Sequence, residues 1–238
     1  MKITQQLWEK FDPIAYVKDN YSYIHNEDKK IIEILVKFYK TLPNLDKSIE
    51  IGCGPNIYPL MLALPIVKSI NVIEFSSRNI LYLKNQFKKL DKIWLVFSNF
   101  IFTLDPNRDN VNLIKSLKEK VRVSKGSIYN LPKNTYDLAS MFFCAEGITD
   151  EYKEFVSICE KFIDSVRSGG YLVASFMENS DGYSISGIKF PSVSINLDDL
   201  HKIFKDKISD LKIYRIPKAK KVLRHGYTGM LVITGKKI

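Results

Sequence analysis

Residues 48–54 read Ser-Ile-Glu-Ile-Gly-Cys-Gly, an apolar strand pattern that runs straight into two glycines one residue apart. No other stretch restricts the fold as much. Gly52 and Gly54 let the backbone turn sharply and approach a ligand with no Cβ in the way. Pro55 stiffens the turn, and a helical stretch through Tyr58 and Leu60 begins just beyond it. A strand, a glycine turn and a helix make the first half of a βαβ unit, whose crossover is right-handed and whose sheet is parallel.

The rest of the chain repeats that alternation. Strand patterns recur at Ile70–Glu74, Lys120–Val123, Tyr136–Phe143, Tyr171–Phe176, Leu211–Ile216 and Met230–Thr234. Ile31, Ile32, Leu35, Val36, Phe38, Tyr39 and Leu42 recur at helical spacing before the first strand. Asn26 is the expected cap of that helix, Glu27 and Asp28 are first-turn acids that suit the helix dipole, and Pro43 is the stop. A third helix has Ile80, Leu81, Leu83 and Phe87 as its apolar positions. Another is expected to start at a Thr149 cap, with Asp150 and Glu151 in its first turn. It should bury Phe155, Ile158, Phe162 and Val166 and stop at Gly169-Gly170. Trp94 and residues 97–104 form an insertion expected to pack over the sheet. The last two strands have no helix between them and should pair as an antiparallel edge. The expected fold is one α/β domain over residues 1–238, a doubly wound, mostly parallel seven-stranded Rossmann-like sheet with an antiparallel last strand.

The composition is that of an ordinary globular domain, with 45% hydrophobic and 26% charged residues, which excludes a disordered or collagenous chain. Cys53, Cys144 and Cys159 show no C-x-x-C spacing, and His25, His201 and His225 are the only histidines, so neither a disulfide framework nor a metal site is expected. No apolar run is long enough to span a bilayer, and the Met-Lys-Ile-Thr-Gln-Gln start lacks a signal-peptide core. The expectation is a soluble, cytoplasmic protein with no membrane partner. Lys and Arg total 36 against 26 Asp and Glu, a net charge of +10 that raises the question of a polyanion. The lysines are spread along the chain, however, and the densest basic run, Lys218-Ala-Lys-Lys221 with Arg224, is short. The charge therefore reads first as solvated surface.

In doubly wound sheets ligands bind beyond the carboxyl ends of the strands. A dinucleotide fingerprint needs a third glycine three residues after Gly54, where Ile57 stands, and no Gly-Lys-Ser/Thr P-loop is present. What remains is acid-x-Gly-x-Gly beginning at Glu50, followed by Glu74 at the end of the second strand. A carboxylate at Glu74 can accept both hydroxyls of a ribose, while Glu50 can face an α-ammonium. That pair suits a nucleoside with a cationic tail, such as S-adenosyl-L-methionine.

Further segments follow in order: Phe11-Asp-Pro-Ile-Ala-Tyr16, Glu50 through Tyr58, Glu74-Phe75-Ser76-Ser-Arg-Asn79, Phe143-Cys-Ala-Glu146, Gly169-Gly-Tyr-Leu-Val173 and Gly182-Tyr183 through Phe190. Together they resemble the nicotinamide/phenylethanolamine/thioether methyltransferase family, class I enzymes that use S-adenosylmethionine on small molecules. The resemblance spans almost the whole chain. It implies an N-terminal helical lid over residues 1–45, a core over 46–238 and a substrate loop near 178–192. The cofactor contacts it implies are Tyr16, Tyr21, Glu50, Gly52, Gly54, Pro55, Tyr58, Glu74, Phe75, Ser76, Asn79, Ser127, Ile128 and Phe143. Three positions depart from the family pattern. Phe176 stands where some relatives carry a substrate-anchoring acid, Asn20 stands near a lid tyrosine, and Ser127 lies in the adenine region where an acid is common.

Methyl transfer from a sulfonium is an in-line displacement, so the protein mainly positions, desolvates and, for an amine, unloads a proton. A carboxylate beside the acceptor stabilises the developing ammonium and can take its proton. Glu146 at the end of the fourth strand is the first candidate for that role. Glu178, just past the fifth strand, is the second and in part replaces the acid lost at Phe176. Tyr16, Tyr21 and Tyr183 supply an aromatic wall by cation–π attraction, with Tyr16 also counted as catalytic. Substrate contacts are expected from Glu146, Phe176, Glu178 and Tyr183. Cys53 and Cys144 are expected only to line the loop and pocket, and His225 and Tyr227 to form a plain hairpin turn.

The function expected is small-molecule methyl transfer, foremost N-methylation of an amine or N-heterocycle, in specialised metabolism. Two other readings stay open: an RNA-modifying methyltransferase and a non-catalytic cofactor-binding or partner protein. Nucleic acid is not the expected partner, because no Asn/Asp-Pro-Pro-aromatic element is present to grip a flipped base. Monomer and homodimer both remain open.

Overall fold

The strand that leads into the glycine turn, β1 (Leu45–Ile51), lies at the centre of a seven-stranded sheet. The structure is a computed structural model and describes residues 3–106, 113–220, 223 and 226–238. β2 (Val67–Glu74) and β4 (Tyr136–Phe142) flank β1 in parallel, with β3 (Val121–Lys125) outside β2 and β5 (Val166–Glu178) outside β4. A separate hairpin, β6 (Tyr183–Ile185) with β7 (Ile188–Phe190), follows β5. β8 (Ile208–Pro217) forms the far edge, and β9 (Gly229–Lys237) inserts antiparallel between β5 and β8. The order β3-β2-β1-β4-β5-β9-β8 reverses its direction of growth at β1, where a doubly wound sheet opens its ligand crevice.

Three helices precede the sheet: α1 (Ile3–Trp8), α2 (Pro13–Asn20) and α3 (Asn26–Tyr39). Asp12 caps α2, its Oδ1 accepting the N–H groups of Ile14 and Ala15 at 3.0 Å each, and Pro13 supplies a preset first turn. α4 (Tyr58–Ala63), α5 (Ser77–Gln86), α6 (Lys92–Leu104), α7 (Leu113–Lys120), α8 (Tyr152–Ser165) and α9 (Leu197–Phe204) complete the fold. Strand side chains alternate between two faces. Leu138 and Phe142 join the core under α3, α4 and α6, while Ala139 and Met141 join the core that holds Phe155, Phe162 and Phe204 from α8 and α9.

The fold class matches the sequence expectation, and several local details do not. His25, not Asn26, occupies the cap position of α3, and that helix ends at Tyr39, short of Leu42 and Pro43. Leu81 is 62% exposed and is no core position of α5. α8 begins at Tyr152; Thr149 stays outside it, accepting the Glu151 N–H and donating its hydroxyl to Glu154 at 2.7 Å. Gly169-Gly170 does not stop α8. The chain passes from Ser165 directly into β5, because Val166 is extended and pairs with Tyr136. The glycines instead serve the irregular start of that strand, where a Cβ on Gly170 would lie 2.5 Å from Val166 Cγ1 and 2.9 Å from the Asp137 carbonyl oxygen. α7 and α9 carry no expectation from the pattern, although α9 has an Asn196/Asp199 capping box. The Trp94 insertion is α6, and it packs against the lid rather than only over the sheet: Trp94 and Phe97 lie 5.4 and 5.9 Å from the Tyr21 ring. Lys221, Arg224 and His225 lie outside the described residues. Among the described residues no helix is long and apolar enough to cross a membrane.

Candidate active site

The glycine turn sits at the carboxyl end of β1, tied to β2 through the Gly52 N–H and the Ile73 carbonyl at 2.8 Å. Gly52 and Gly54 both adopt the left-handed conformation, with φ of +61° and +57°. A Cβ on Gly52 would come within 2.2 Å of Cys144 Sγ, so that glycine permits the close approach of the β1 and β4 loops. A Cβ on Gly54 would meet nothing within 4 Å, because that residue faces open space. Glu74 ends β2 opposite the turn. Its carboxylate accepts the N–H groups of Gly54 and Ser76 at 2.8 Å each and the Asn79 side-chain amide at 3.4 Å. One buried acid thus clamps the two loops that a ligand must enter between.

Beside this clamp lies a cleft with about 1080 Å³ of space free of protein atoms. Tyr16, Tyr21, Gly52, Gly54, Pro55, Glu74, Phe75, Asn79, Ser127, Ile128, Phe143 and Tyr183 line it, all residues singled out from the sequence. α1 closes over it. Trp8 lines the cleft, and Glu9 accepts from the Lys125 ammonium at 2.5 Å and the Ser77 N–H at 3.1 Å. Three further lining residues, Tyr129, Ile148 and Glu154, had no sequence signal beyond ordinary turn or helix positions; the Tyr129 hydroxyl donates to Glu154 at 2.5 Å.

A second, smaller cavity of about 510 Å³ adjoins it, lined by Asn20, Asp28, Glu146, Met177, Ser192 and Met230 among others. Tyr16, Tyr21, Phe143 and Tyr183 line both cavities. These four rings form the partition between them, Tyr16 standing 6.0 Å from Tyr21 and 6.3 Å from Tyr183. Phe143 holds its place with a φ of +52°, a conformation that costs a non-glycine residue about 1 kcal/mol and collects at functional sites. Glu146 lies 2% exposed at the rim of the second cavity. Its Oε1 accepts the Met177 N–H at 2.8 Å, which fixes the carboxylate to the end of β5.

Four residues expected at the site stand elsewhere. Phe176 is fully buried on the opposite face of the sheet, edge-on to Phe155 at 5.9 Å, because side chains alternate along β5 and Met177 takes the cavity side. Glu178 lines neither cavity. Arg215 of β8 donates to it at 2.7 Å and Thr228 at 2.7 Å, holding its carboxyl below the usual range, so it locks the sheet edge. Tyr58 is buried behind the wall, stacked on Phe97 at 5.4 Å. Ser76 caps α5 with its hydroxyl and contributes only its N–H to the Glu74 clamp. Glu50 lies beneath the glycine turn and accepts from the Ser140 hydroxyl. Tyr227 is more than a turn residue: it is buried, and its hydroxyl donates to Glu27 of α3 at 3.0 Å.

The profile of the NNMT/PNMT/TEMT family matches residues 2–238. The chain belongs to that family. Nicotinamide N-methyltransferase of Homo sapiens is 22% identical over 213 residues, 82% of this chain and 81% of the human protein. Among solved structures, the N-methyltransferase NodS from Bradyrhizobium japonicum WM9 in complex with S-adenosyl-L-homocysteine superposes with a TM-score of 0.62 at 12% identity, over 98% of this chain and 96% of that one. A possible histamine N-methyltransferase from Thermotoga maritima gives a TM-score of 0.56 at 17% identity, over 99% and 100%. The cofactor of this methyltransferase is S-adenosylmethionine. The residues present fit it. Glu50 Oε1 and Asn79 Oδ1 are buried with no hydrogen-bond partner, and Gly54 leaves open the space that a side chain would fill.

Burial raises the methyltransferase's Glu74 above the usual carboxylate range, with the N–H groups around it opposing the shift. Glu50 is pushed up to about 8 by burial, against the Ser140 hydrogen bond. Asp28 is likewise pushed up to about 8 by burial and by the Glu27 charge. Both groups keep their protons in the folded state across a pH window where the unfolded chain has released them. Stability is therefore full below the ordinary carboxylate range and falls as pH rises toward about 8. The depressed acids, Glu9, Asp137, Asp164 and Glu178, titrate below that window. The cofactor-free protein is expected to melt higher at about pH 5.5 than at about pH 8.5, and Glu50→Gln with Asp28→Asn should flatten that slope. Thermal scans of both proteins across the range check it; an unchanged slope in the double variant assigns the pH dependence to other groups. Burial pushes the thiols of Cys53, Cys144 and Cys159 well above their ordinary value, so none is a ready nucleophile.

Proposed function

We propose that this protein is a cytoplasmic small-molecule N-methyltransferase, working as one domain over residues 1–238, with an amine or N-heterocycle as acceptor. The observation that carries the reading is the pair of cavities that share one aromatic partition. In the first, Glu74 would hold the ribose hydroxyls, Glu50 the ammonium end, and Ser127 with Ile128 the adenine. The bound cofactor supplies a methyl on a cationic sulfonium, and the acceptor lone pair forms the new bond as the carbon–sulfur pair returns to sulfur. Tyr16, Tyr21, Phe143 and Tyr183 would surround that charge with ring faces, which favour a cation once water is excluded. Glu146 would face the acceptor nitrogen from the second cavity and stabilise the positive charge that develops on it.

The charges of the lining support a cationic acceptor. Glu74, Glu154, Asp28 and Glu146 line the two cavities, and no described lining residue is Lys or Arg. The surplus positive charge lies on exposed side chains such as Lys30, Lys68 and Lys133, several of them paired to surface acids. The test is a pool assay with methyl-labelled cofactor that compares small amines, phenols, thiols and total RNA. Label in one or more amines is expected. Label confined to RNA, phenols or thiols overturns the N-directed reading, and none in any pool favours a non-catalytic binder.

A further inference from the structure

Asp28 is in the first turn of α3, where an acid normally points to water and favours the helix dipole. Here it is 2% exposed and lines the second cavity with Glu146, Asn20 and Tyr16. Its neighbour Glu27 turns the other way: Oε1 accepts the Tyr227 hydroxyl at 3.0 Å and the Ala219 N–H at 2.9 Å, so that acid ties α3 to the loop before β9. The two acids of one turn therefore divide into a tie and a cavity wall. The groups facing Asp28 are Glu27 on its own helix, Tyr58 from α4, Tyr21 from α2 and, across the cavity, Tyr16 and Glu146. None of these is a cation. Two carboxyl groups thus converge on a cavity of about 510 Å³, closed on one side by the four-ring partition.

Resting on the N-methyltransferase reading, we propose that Asp28 takes the proton from an incoming ammonium, and that the second cavity thereby selects compact aliphatic amines. The O–H bond forms at Asp28 as one N–H bond breaks, and the lone pair left on nitrogen is the nucleophile. The product departs as an N-methylammonium, and Asp28 returns its proton to water. A carboxyl raised to about 8 by burial and by Glu27 is closer to the range of an alkylammonium than an ordinary carboxylate is, which eases proton transfer between them. Its ionised form is the acceptor, so kcat/KM for an ammonium substrate rises with pH and levels off toward about 8.

The experiment compares the full-length wild type, Asp28→Asn and Asp28→Glu on benzylamine, an ammonium at the assay pH, and on aniline, a neutral amine with the same ring. Asp28→Asn is expected to lower kcat/KM for benzylamine by about 10- to 100-fold, to change aniline by less than about threefold, and to lose the rising limb. Asp28→Glu keeps a proton acceptor and should recover part of the benzylamine preference. S-adenosylhomocysteine affinity and melting temperature serve as fold controls, and neither should fall, because the substitution removes a buried acid that has no cationic partner among the described residues. Equal losses on both amines, or an unchanged limb and preference, overturn the role of Asp28 while leaving the methyltransferase reading standing. A wild type that binds the cofactor product but methylates neither amine overturns the role of Asp28 for such amines; the pool assay above then decides the N-directed reading separately.

Discussion

Glu74→Ala should weaken binding of S-adenosylhomocysteine by roughly 100-fold or more and take methyl transfer down with it. The carboxylate is 5% exposed and placed by three donors, Gly54 N–H, Ser76 N–H and the Asn79 amide. Hydrogen bonds to a charged group contribute about 1.5–3 kcal/mol each, so loss of the two ribose hydroxyl bonds proposed for Glu74 alone corresponds to that factor. The clamp goes as well, because the Gly54 and Ser76 N–H groups lose their acceptor and the glycine turn is free to drift. Glu74→Gln keeps the volume and one acceptor oxygen and should fall between the two. Titration calorimetry with S-adenosylhomocysteine measures the effect, and a melting curve shows whether the chain still folds. Binding within about threefold of wild type would mean that the ribose is held by something else.

A second large effect is expected at Trp94, far from any reacting atom. Its side chain is fully buried, its indole N–H donates to the Tyr82 hydroxyl at 2.8 Å, and its ring lies 5.4 Å from both Tyr21 and Phe97. Trp94→Ala should cost about 3–5 kcal/mol of stability through the cavity it leaves. It also removes the floor under Tyr21, one of the four partition rings, so the acceptor KM should rise more than the affinity for the cofactor falls. Leu95→Ala, next along α6 and 46% exposed, is the matched control and should change stability by less than about 0.5 kcal/mol. Urea unfolding of the two variants separates the cases. A cost below about 1 kcal/mol for Trp94→Ala would show that α6 collapses into the space.

The sequence by itself determined the class of the sheet, seven-stranded and mostly parallel with an antiparallel last strand, and the glycine turn at the carboxyl end of its first strand. The strand–glycine–helix junction at residues 48–58 leaves one way to turn and one side on which to bind, and Glu74 follows at the matching end of the next strand. Those features are local, set by backbone conformations and by the period of apolar residues, and local rules read them correctly. The acceptor end was another matter. Phe176 and Glu178 lie two residues apart and were both assigned to the substrate, yet the pleat sends Phe176 to the far core and Arg215, from a strand 37 residues later, draws Glu178 into the sheet edge. The pattern marks Asp28 only as a first-turn acid that suits the helix dipole, and its place in the cavity wall comes from the packing of α3 against α4 and the partition rings. Which face of an element meets which neighbour depends on contacts between residues far apart in the chain. Burial, and with it the raised proton affinity of Asp28, was decided only when the tertiary structure closed.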